Sequence, residues 1–423
     1  MRIIQIRNVD TFSEKIRPKQ STQNKKIVES IISDVQKNGD SALKKYEKKF
    51  NKTKSASLRV TKSEIQNAYS RLSKEEILAI KTAKNRLSRS ESKLKAILKN
   101  FTINVDGVKI SKSFTPIKNV GCYVPGGMAR YPSSAIMSIV PAKIAGVKRI
   151  VVVSPPDTTG KIDPMTIVSA DICGASEIFK IGGAQAIAAL SYGTKSLNPV
   201  DKIVGPGGPF VTMAKSILSE RTSIDMNAGP TELGIIVDDS SPVHLVVDDL
   251  ISQAEHSADT FCYVLTTSHT VGKKINQLIT EKIKSAPRAN IVKSSLKRNG
   301  FIGICKSKDD LVILANSLAP EHLEIMTKDA KKLAKKIKAP GLVLIGNNSP
   351  SSASDYLLGS NHILPTNGFG RTRGSLSVMD FLKISTTVEA TKPALKKISK
   401  SMKAFTDTEG LSNHYNAVES RLK

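Results

Sequence analysis

Along the first hundred residues, apolar side chains recur at three- and four-residue spacing within a polar background, as in Ile27–Lys37 and Lys74–Lys84. That spacing predicts amphipathic helices. From about residue 101 the pattern changes to short apolar runs separated by longer mixed segments. The runs Gly121–Val124, Arg149–Val153, Glu177–Lys180, Lys202–Val204, Leu233–Val237, Phe261–Leu265, Phe301–Ile304 and Leu342–Ile345 predict strands. Between them, Ser134–Ala145, Ile162–Cys173, Ala184–Ser191, Val211–Ser219 and Val243–Ala254 predict helices. Strand–helix alternation of this kind favours parallel sheets covered by helices on both faces, an α/β class. So many strands point to two doubly wound sheets rather than one. After about residue 380 the chain is helical and lysine-rich with no strand signal. Its uneven apolar pattern implies a tail that packs on something else rather than folding alone.

Composition narrows the class. A chain of 423 residues exceeds one ordinary core and implies at least two domains. The longest apolar runs, such as Ile150–Val153, are of strand length and cannot cross a bilayer. The N-terminus, MRIIQIRNVD, has no apolar stretch followed by a small-residue cleavage site, which points to the cytoplasm. Cys122, Cys173, Cys262 and Cys305 are scattered and form no C-x-x-C pair, so reduced thiols are expected rather than disulfides or a cysteine metal knot. The net charge of +27 raises nucleic-acid binding as a rival reading. The lysines, however, cluster in helical stretches such as Lys44, Lys45, Lys48 and Lys49, or Lys331, Lys332, Lys335, Lys336 and Lys338, with few aromatics to stack bases. A solvated lysine-rich surface is the expectation, with weak polyanion binding at low salt and no specific nucleic-acid site.

Chemistry concentrates in four places. Gln253 and His256 are three apart at the end of a predicted helix, so they share a face and could ligate one metal ion; the same pattern also serves as a cap. Glu321 and His322 follow Pro320, which interrupts a helix. An imidazole that titrates near neutral pH can take a hydroxyl proton, and the neighbouring carboxylate can activate water. Ser354-Asp355-Tyr356 and Gly359-Ser-Asn-His362 form a polar loop between glycines, suited to ligand contact. In the tail, Glu409 precedes His414 by five residues, a pair that by itself reads as surface. With six histidines in the whole chain, three of them in polar loops or helix ends, a zinc site of two histidines, an aspartate and an amide oxygen is chemically reasonable. Three glycine-rich strand-to-helix turns, Tyr123-Val-Pro-Gly-Gly127, Ile181-Gly-Gly-Ala-Gln185 and Val204-Gly-Pro-Gly-Gly208, could cradle phosphates on exposed N–H groups. None matches the G-x-G-x-x-G dinucleotide fingerprint.

Taken in order, these motifs resemble the histidinol dehydrogenase family. The segments that carry the likeness are Gly121-Cys-Tyr-Val-Pro-Gly-Gly127, Pro141-Ala-Lys-Ile-Ala-Gly146, Gly182-Gly-Ala-Gln-Ala-Ile-Ala-Ala-Leu190 and Val200-Asp-Lys-Ile-Val-Gly-Pro-Gly207. They continue in Ala228-Gly-Pro-Thr-Glu232, Ser252-Gln-Ala-Glu-His256, Pro320-Glu-His322, Asp355-Tyr356 and Asn361-His-Ile-Leu-Pro-Thr366. The resemblance implies two incomplete Rossmann-like sheet domains. One is built from residues 21–122 and 231–376 and carries most metal and catalytic residues; the other, residues 123–230, binds cofactor. An N-terminal segment, residues 1–20, and a tail, residues 377–423, complete the chain.

It implies oxidation of L-histidinol through L-histidinal to L-histidine with reduction of two NAD, as the end of histidine biosynthesis. One zinc ion per subunit would be held by Gln253, His256, Asp355 and His414, gripping the substrate's nitrogens. His322 would be the general base and Glu321 the activator of water. Thr231, His362 and Glu409 would also contact substrate, while Tyr123, Gln185 and position 208 would contact cofactor. The family usually has Asn where this chain has Gly208, Pro where it has Asn227, and an acid where a small residue precedes the Asp355 loop. In the family the tail crosses to the partner subunit, so a homodimer with shared active sites is implied. Two other readings share some of these features: a zinc hydrolase with Glu321 as base, and a basic nucleic-acid-binding protein.

Overall fold

The computed structural model describes residues 1–16, 24–53, 57–126 and 130–423. Position 127 of the first glycine-rich turn lies outside the described residues. Among the described residues, fourteen strands follow one another: β1 (Arg2–Gln5), β2 (Phe101–Val105), β3 (Val108–Pro116), β4 (Asn119–Tyr123), β5 (Arg149–Ser154), β6 (Glu177–Lys180), β7 (Lys202–Val204), β8 (Ser223–Ile224), β9 (Glu232–Val237), β10 (Phe261–Thr266), β11 (Phe301–Ile304), β12 (His322–Met326), β13 (Leu342–Ile345) and β14 (Leu382–Ala390). They form three sheets. β1-β11-β10-β9-β12-β13 is parallel throughout, as is β6-β5-β4-β7-β8, while β14-β3-β2 is antiparallel.

Both parallel sheets carry helices on each face, and their central strands are buried along their length, as runs such as Ile150–Val153 require. The doubly wound α/β class read from sequence is therefore present twice. In each sheet the first strand of the unit (β4 or β9) neighbours both the second and the fourth, so chain order reverses beside it. That reversal opens a crevice at the strand ends.

The helices of the first hundred residues begin where the sequence provides caps. Thr61 with Glu64, and Ser73 with Glu76, form reciprocal capping boxes ahead of helices Lys62–Ser70 and Lys74–Ile97. Their packing partners differ from the expected division. Val28, Ile31, Ile32 and Val35 join the core around β5 and the Gly183–Tyr192 helix, while Ile80, Ala83 and Leu87 pack with the Pro132–Ala145 helix. Residues 24–53 and 57–98 thus cover the five-stranded sheet instead of the six-stranded one, because their apolar stripes fit its outer helices. The N-terminal segment is likewise no separate piece: β1 adds an edge strand to the six-stranded sheet beside β11.

The tail is not purely helical. It opens with β14, which pairs along nine residues with β3 before helices Lys392–Glu409 and Ser412–Leu422. Strands β2, β3 and β14 escape a search for apolar runs because polar residues alternate with their apolar ones, and β14 pairs with β3 from the far end of the chain, Leu382 against Pro116. Phe101, Ile103, Val105, Ile384 and Val388 remain exposed there, as do Phe405 and Leu411 on the tail helices.

A strap between the two large units positions the site. Ser90 Oγ donates to Gly359 O (2.7 Å), Asn361 Nδ2 to Met137 O (2.8 Å) and Gly229 N to Thr366 Oγ1 (2.6 Å). Ile363, Leu376, Val378 and Phe381 then enter the core of the five-stranded unit.

Candidate active site

Helix Lys308–Leu318 ends with Ala319 in the left-handed conformation (φ 39°), and Pro320 prevents its continuation. The chain turns directly into β12. Glu321 and His322, read from sequence as a helix end, therefore stand at the start of a central strand, where His322 is 2% exposed. Its Nε2 lies 3.2 Å from Asp355 Oδ1, and its Nδ1 lies 3.9 Å from Glu321 Oε2. Neither ring nitrogen completes a hydrogen bond. A buried imidazole left open in this way is a place for a ligand, since structural polar groups are normally satisfied.

The surrounding side chains come from four elements. Glu321 Oε2 accepts from Glu232 N (2.9 Å), and Glu321 N donates back to Glu232 Oε2 (3.2 Å). This reciprocal pair ties β12 to β9 immediately after the half-buried Thr231, and Glu232 Oε1 also accepts from Asn367 N (3.0 Å). Helix Val243–Ala254 ends at the site with Gln253, which is 1% exposed and whose Nε2 is unpartnered; His256 stands exposed beyond it. Asp355 follows the short Ser351–Ser354 helix, and its Oδ1 is also unpartnered. His362 bridges the two units: Nδ1 lies 2.7 Å from Asp355 O and Nε2 lies 3.3 Å from Ser134 Oγ.

The charges explain each titration. Burial lowers His322, but Asp355 and then Glu321 outweigh it and lift its pKa to about 9. Burial likewise disfavours the Asp355 anion, yet His322 holds it below the usual carboxylate range. Burial lifts Glu321 to about 8 against the opposing pull of His322. Burial lowers His362.

Glu321 and His322 both hold protons more tightly folded than unfolded. Each therefore contributes stability that is present below its ordinary value and lost as pH rises, towards about 8 for Glu321 and about 9 for His322. Thermal melting of the metal-free protein is expected to fall between about pH 6 and about pH 9, and Glu321→Gln should flatten that fall. Equal slopes in the two proteins would contradict the assignment.

The cofactor candidates sit at the other crevice, at the carboxyl ends of β4 and β7. Tyr123 is buried, and its hydroxyl accepts from Gly183 N (3.1 Å). Gln185 is 1% exposed; its Nε2 donates to Glu47 Oε1 (2.9 Å), which also accepts from Gly182 N (2.9 Å). Both residues thus brace the Gly182-Gly183 turn. Gly205, at φ 109°, passes so close to Tyr123 O that a Cβ there would clash, and it is held by the buried Lys215–Asp225 pair. At Gly208 a Cβ would meet nothing, so the Asn usual in the family has room there.

By contrast, the equivalent carboxyl-end crevice of the six-stranded sheet is closed by its own side chains. Ser241 Oγ donates to Met326 O (2.5 Å), and Asp238 Oδ2 accepts from Lys328 N (3.0 Å). The reactive groups occupy the opposite, amino edge.

A metal fits this donor set only in part within one chain. Gln253, His256 and Asp355 lie around one opening, and an amide and a carboxylate with unpartnered buried atoms suit a cation. Among the described residues no three His, Cys, Asp or Glu side chains form a metal-holding group. The fourth candidate, His414, is exposed on the tail helix, as is Glu409, and no hydrogen bond or ion pair joins either to the site.

Sequence reading overlooked Glu47, Asp249, Glu324 and the Lys215–Asp225 pair. Asp249 carried a signal, one helical turn before Gln253, and Glu324 another, two strand positions after His322.

Comparison with known proteins decides the family. A model of the histidinol dehydrogenase family matches residues 15–422. The histidinol dehydrogenase of Oceanobacillus iheyensis is 40% identical over 413 residues, covering 97% of this chain and 96% of that one. The chain belongs to the histidinol dehydrogenase family. The Methanococcus maripaludis member is 41% identical over 395 residues, 93% of this chain and 92% of that one. The crystal structure of the family member from Elizabethkingia anophelis superposes with a TM-score of 0.94 at 33% identity, covering 100% of this chain and 98% of that one. Family membership displaces the hydrolase and nucleic-acid readings, and the likeness in structure extends to the whole two-sheet fold.

Proposed function

We propose that the chain converts L-histidinol to L-histidine in two NAD-dependent oxidations, with His322 as general base and Glu321 as the activator of water. The observation that carries this reading is the buried, unsatisfied His322 imidazole between Asp355 and Glu321. In the first oxidation the neutral form of the His322 imidazole accepts the hydroxyl proton while the carbon-bound hydrogen leaves as hydride to NAD, giving the aldehyde, so the rate should rise with pH towards the raised pKa of about 9. Water then adds to the aldehyde, its proton passing to Glu321, whose raised pKa suits proton exchange near neutrality, while the imidazolium of His322 returns its proton to the carbonyl oxygen and is a free base again. Glu321 then releases its proton to solvent. His322 takes a proton from the hydrate as the second hydride leaves, and the acid results. One base thus serves twice, with a single hydration between.

A zinc ion held by Gln253, His256, Asp355 and His414 of a second copy would supply Lewis-acid attraction for the substrate's imidazole and amino nitrogens. Within the chain, Thr231 and His362 would orient the substrate, and Glu409 would do so from the tail of the second copy. NAD would lie at the β4/β7 crevice, over Tyr123, the turn braced by Gln185, and Gly208. Two features support a homodimer with shared sites. His414 and Glu409 stand exposed on a tail away from the groups they would complete, and apolar side chains are exposed on the same tail and on the three-stranded sheet. The four buried, unpaired cysteines suit the reducing cytoplasm, and no helix among the described residues is long and apolar enough to cross a membrane.

Absorbance of reduced nicotinamide, followed as histidinol is added to zinc-loaded protein with NAD, tests the reaction. Growth of the signal is expected; a flat trace would contradict it.

A further inference from the structure

Behind His322 two carboxyl groups lie buried against each other, and the chemistry above leaves both unused. Glu324 is two residues beyond His322 on β12, so the two side chains leave the same face of the sheet. Asp249 is one turn before Gln253 on the Val243–Ala254 helix, so these two share a helix face. The helix face that brings Gln253 to the site therefore brings Asp249 to Glu324. Glu324 is 1% exposed and Asp249 is 9% exposed. Glu324 Oε1 accepts from Ser351 N (2.7 Å), the first residue of the short helix that ends at Asp355. Glu324 Oε2 completes no hydrogen bond in the structure, and the Glu324 carboxyl lies against the Asp249 carboxyl with the Ser351 hydroxyl also beside it.

Among the described residues, no lysine, arginine or histidine forms an ion pair with either acid. Two buried carboxylates in contact cannot both be ionised without strong repulsion. A single proton between them removes the repulsion and satisfies the orphaned oxygen. Burial pushes both groups above the ordinary carboxylate range, in the same direction.

We propose that Glu324 and Asp249 form a carboxyl–carboxylate clamp, a positioning pair that holds β12, the Val243–Ala254 helix and the Ser351–Ser354 helix so that His322, Gln253 and Asp355 converge. The inference rests on the reading of those three residues as the working groups. It makes a distinction that a purely structural role does not. Glu324→Gln keeps an N–H donor facing the Asp249 carboxylate, while Glu324→Leu keeps the volume and removes the bond. Glu324→Leu leaves the Asp249 carboxyl and the Ser351 N–H buried without partners and should cost stability, so the readout that marks positioning is the split between kcat and the KM for NAD together with rescue by Glu324→Gln.

The experiment measures kcat, both KM values, melting temperature and amide hydrogen exchange in holoenzyme of the two variants. Glu324→Leu is expected to lower kcat roughly ten- to a hundredfold, as slight misplacement of reacting groups does. KM for NAD should not move, since the cofactor crevice is on the other sheet. Glu324→Gln should restore most of the turnover, and Ser351 N–H exchange should quicken in Glu324→Leu and not in Glu324→Gln. Wild-type kcat in Glu324→Leu, or Glu324→Gln no better than Glu324→Leu, would overturn the clamp. If Glu324→Leu does not fold, Asp249→Ala and Asp249→Asn replace the pair of variants with the same expected contrast. Ser351 N–H exchange in Asp249→Ala, where its Glu324 acceptor remains, needs no turnover: quickening there supports the clamp and an unchanged rate overturns it, even if wild-type protein fails to oxidise histidinol, a result that would instead overturn the proposed reaction.

Discussion

In the His322→Asn variant, histidinol turnover falls by about a hundredfold or more, the scale expected when a positioned general base is lost. Asparagine fills part of the imidazole's space and carries an amide that can donate to Asp355, so the fold and the Glu321–Glu232 pairing should survive. The loss should appear in kcat for both oxidations, because the same imidazole takes the proton each time. Starting from the aldehyde should therefore not rescue the variant. A variant that oxidised the aldehyde at the wild-type rate would show that His322 serves the first step only.

Mixing two dead proteins should give a living one. His414→Asn removes the tail histidine, and His322→Asn removes the base; each homodimer alone should be inactive or nearly so. If the tail completes the second copy's site, a hybrid dimer has one site with both defects and one with neither. Random subunit exchange makes half the dimers hybrids, so activity should return to about a quarter of the wild-type value. If each tail served its own subunit, every site would carry one lesion and mixing would recover nothing. The exposure of His414 and Glu409 in the single chain favours the first outcome.

What sequence could reveal follows from how far apart the interacting residues lie. Runs such as Arg149–Ser154 announce themselves because a strand buried on both faces needs apolar residues throughout. β12 does not, since His322 and Glu324 interrupt its apolar pattern while remaining buried for chemistry and positioning. β2, β3 and β14 are hidden for a different reason: they are half-exposed, and while β2 and β3 pair as a local hairpin, β14 joins β3 from the far end of the chain. Glu321 and His322 were legible as neighbours with complementary chemistry. The partners that hold the Gly182-Gly183 turn were not, because Glu47 meets Gln185 across 138 residues. The expectation that residues 21–122 join the six-stranded unit failed because amphipathic stripes state that a helix packs, but not on which sheet.

The central claim is that one site performs two oxidations with one hydration between them. Its most direct test is stoichiometry: a limiting, known amount of L-histidinol is consumed to completion with excess NAD, and reduced nicotinamide and histidine are both counted. The account predicts two reduced nicotinamides for each histidine formed and no accumulated aldehyde. One reduced nicotinamide per histidinol, with the aldehyde as product, would contradict it.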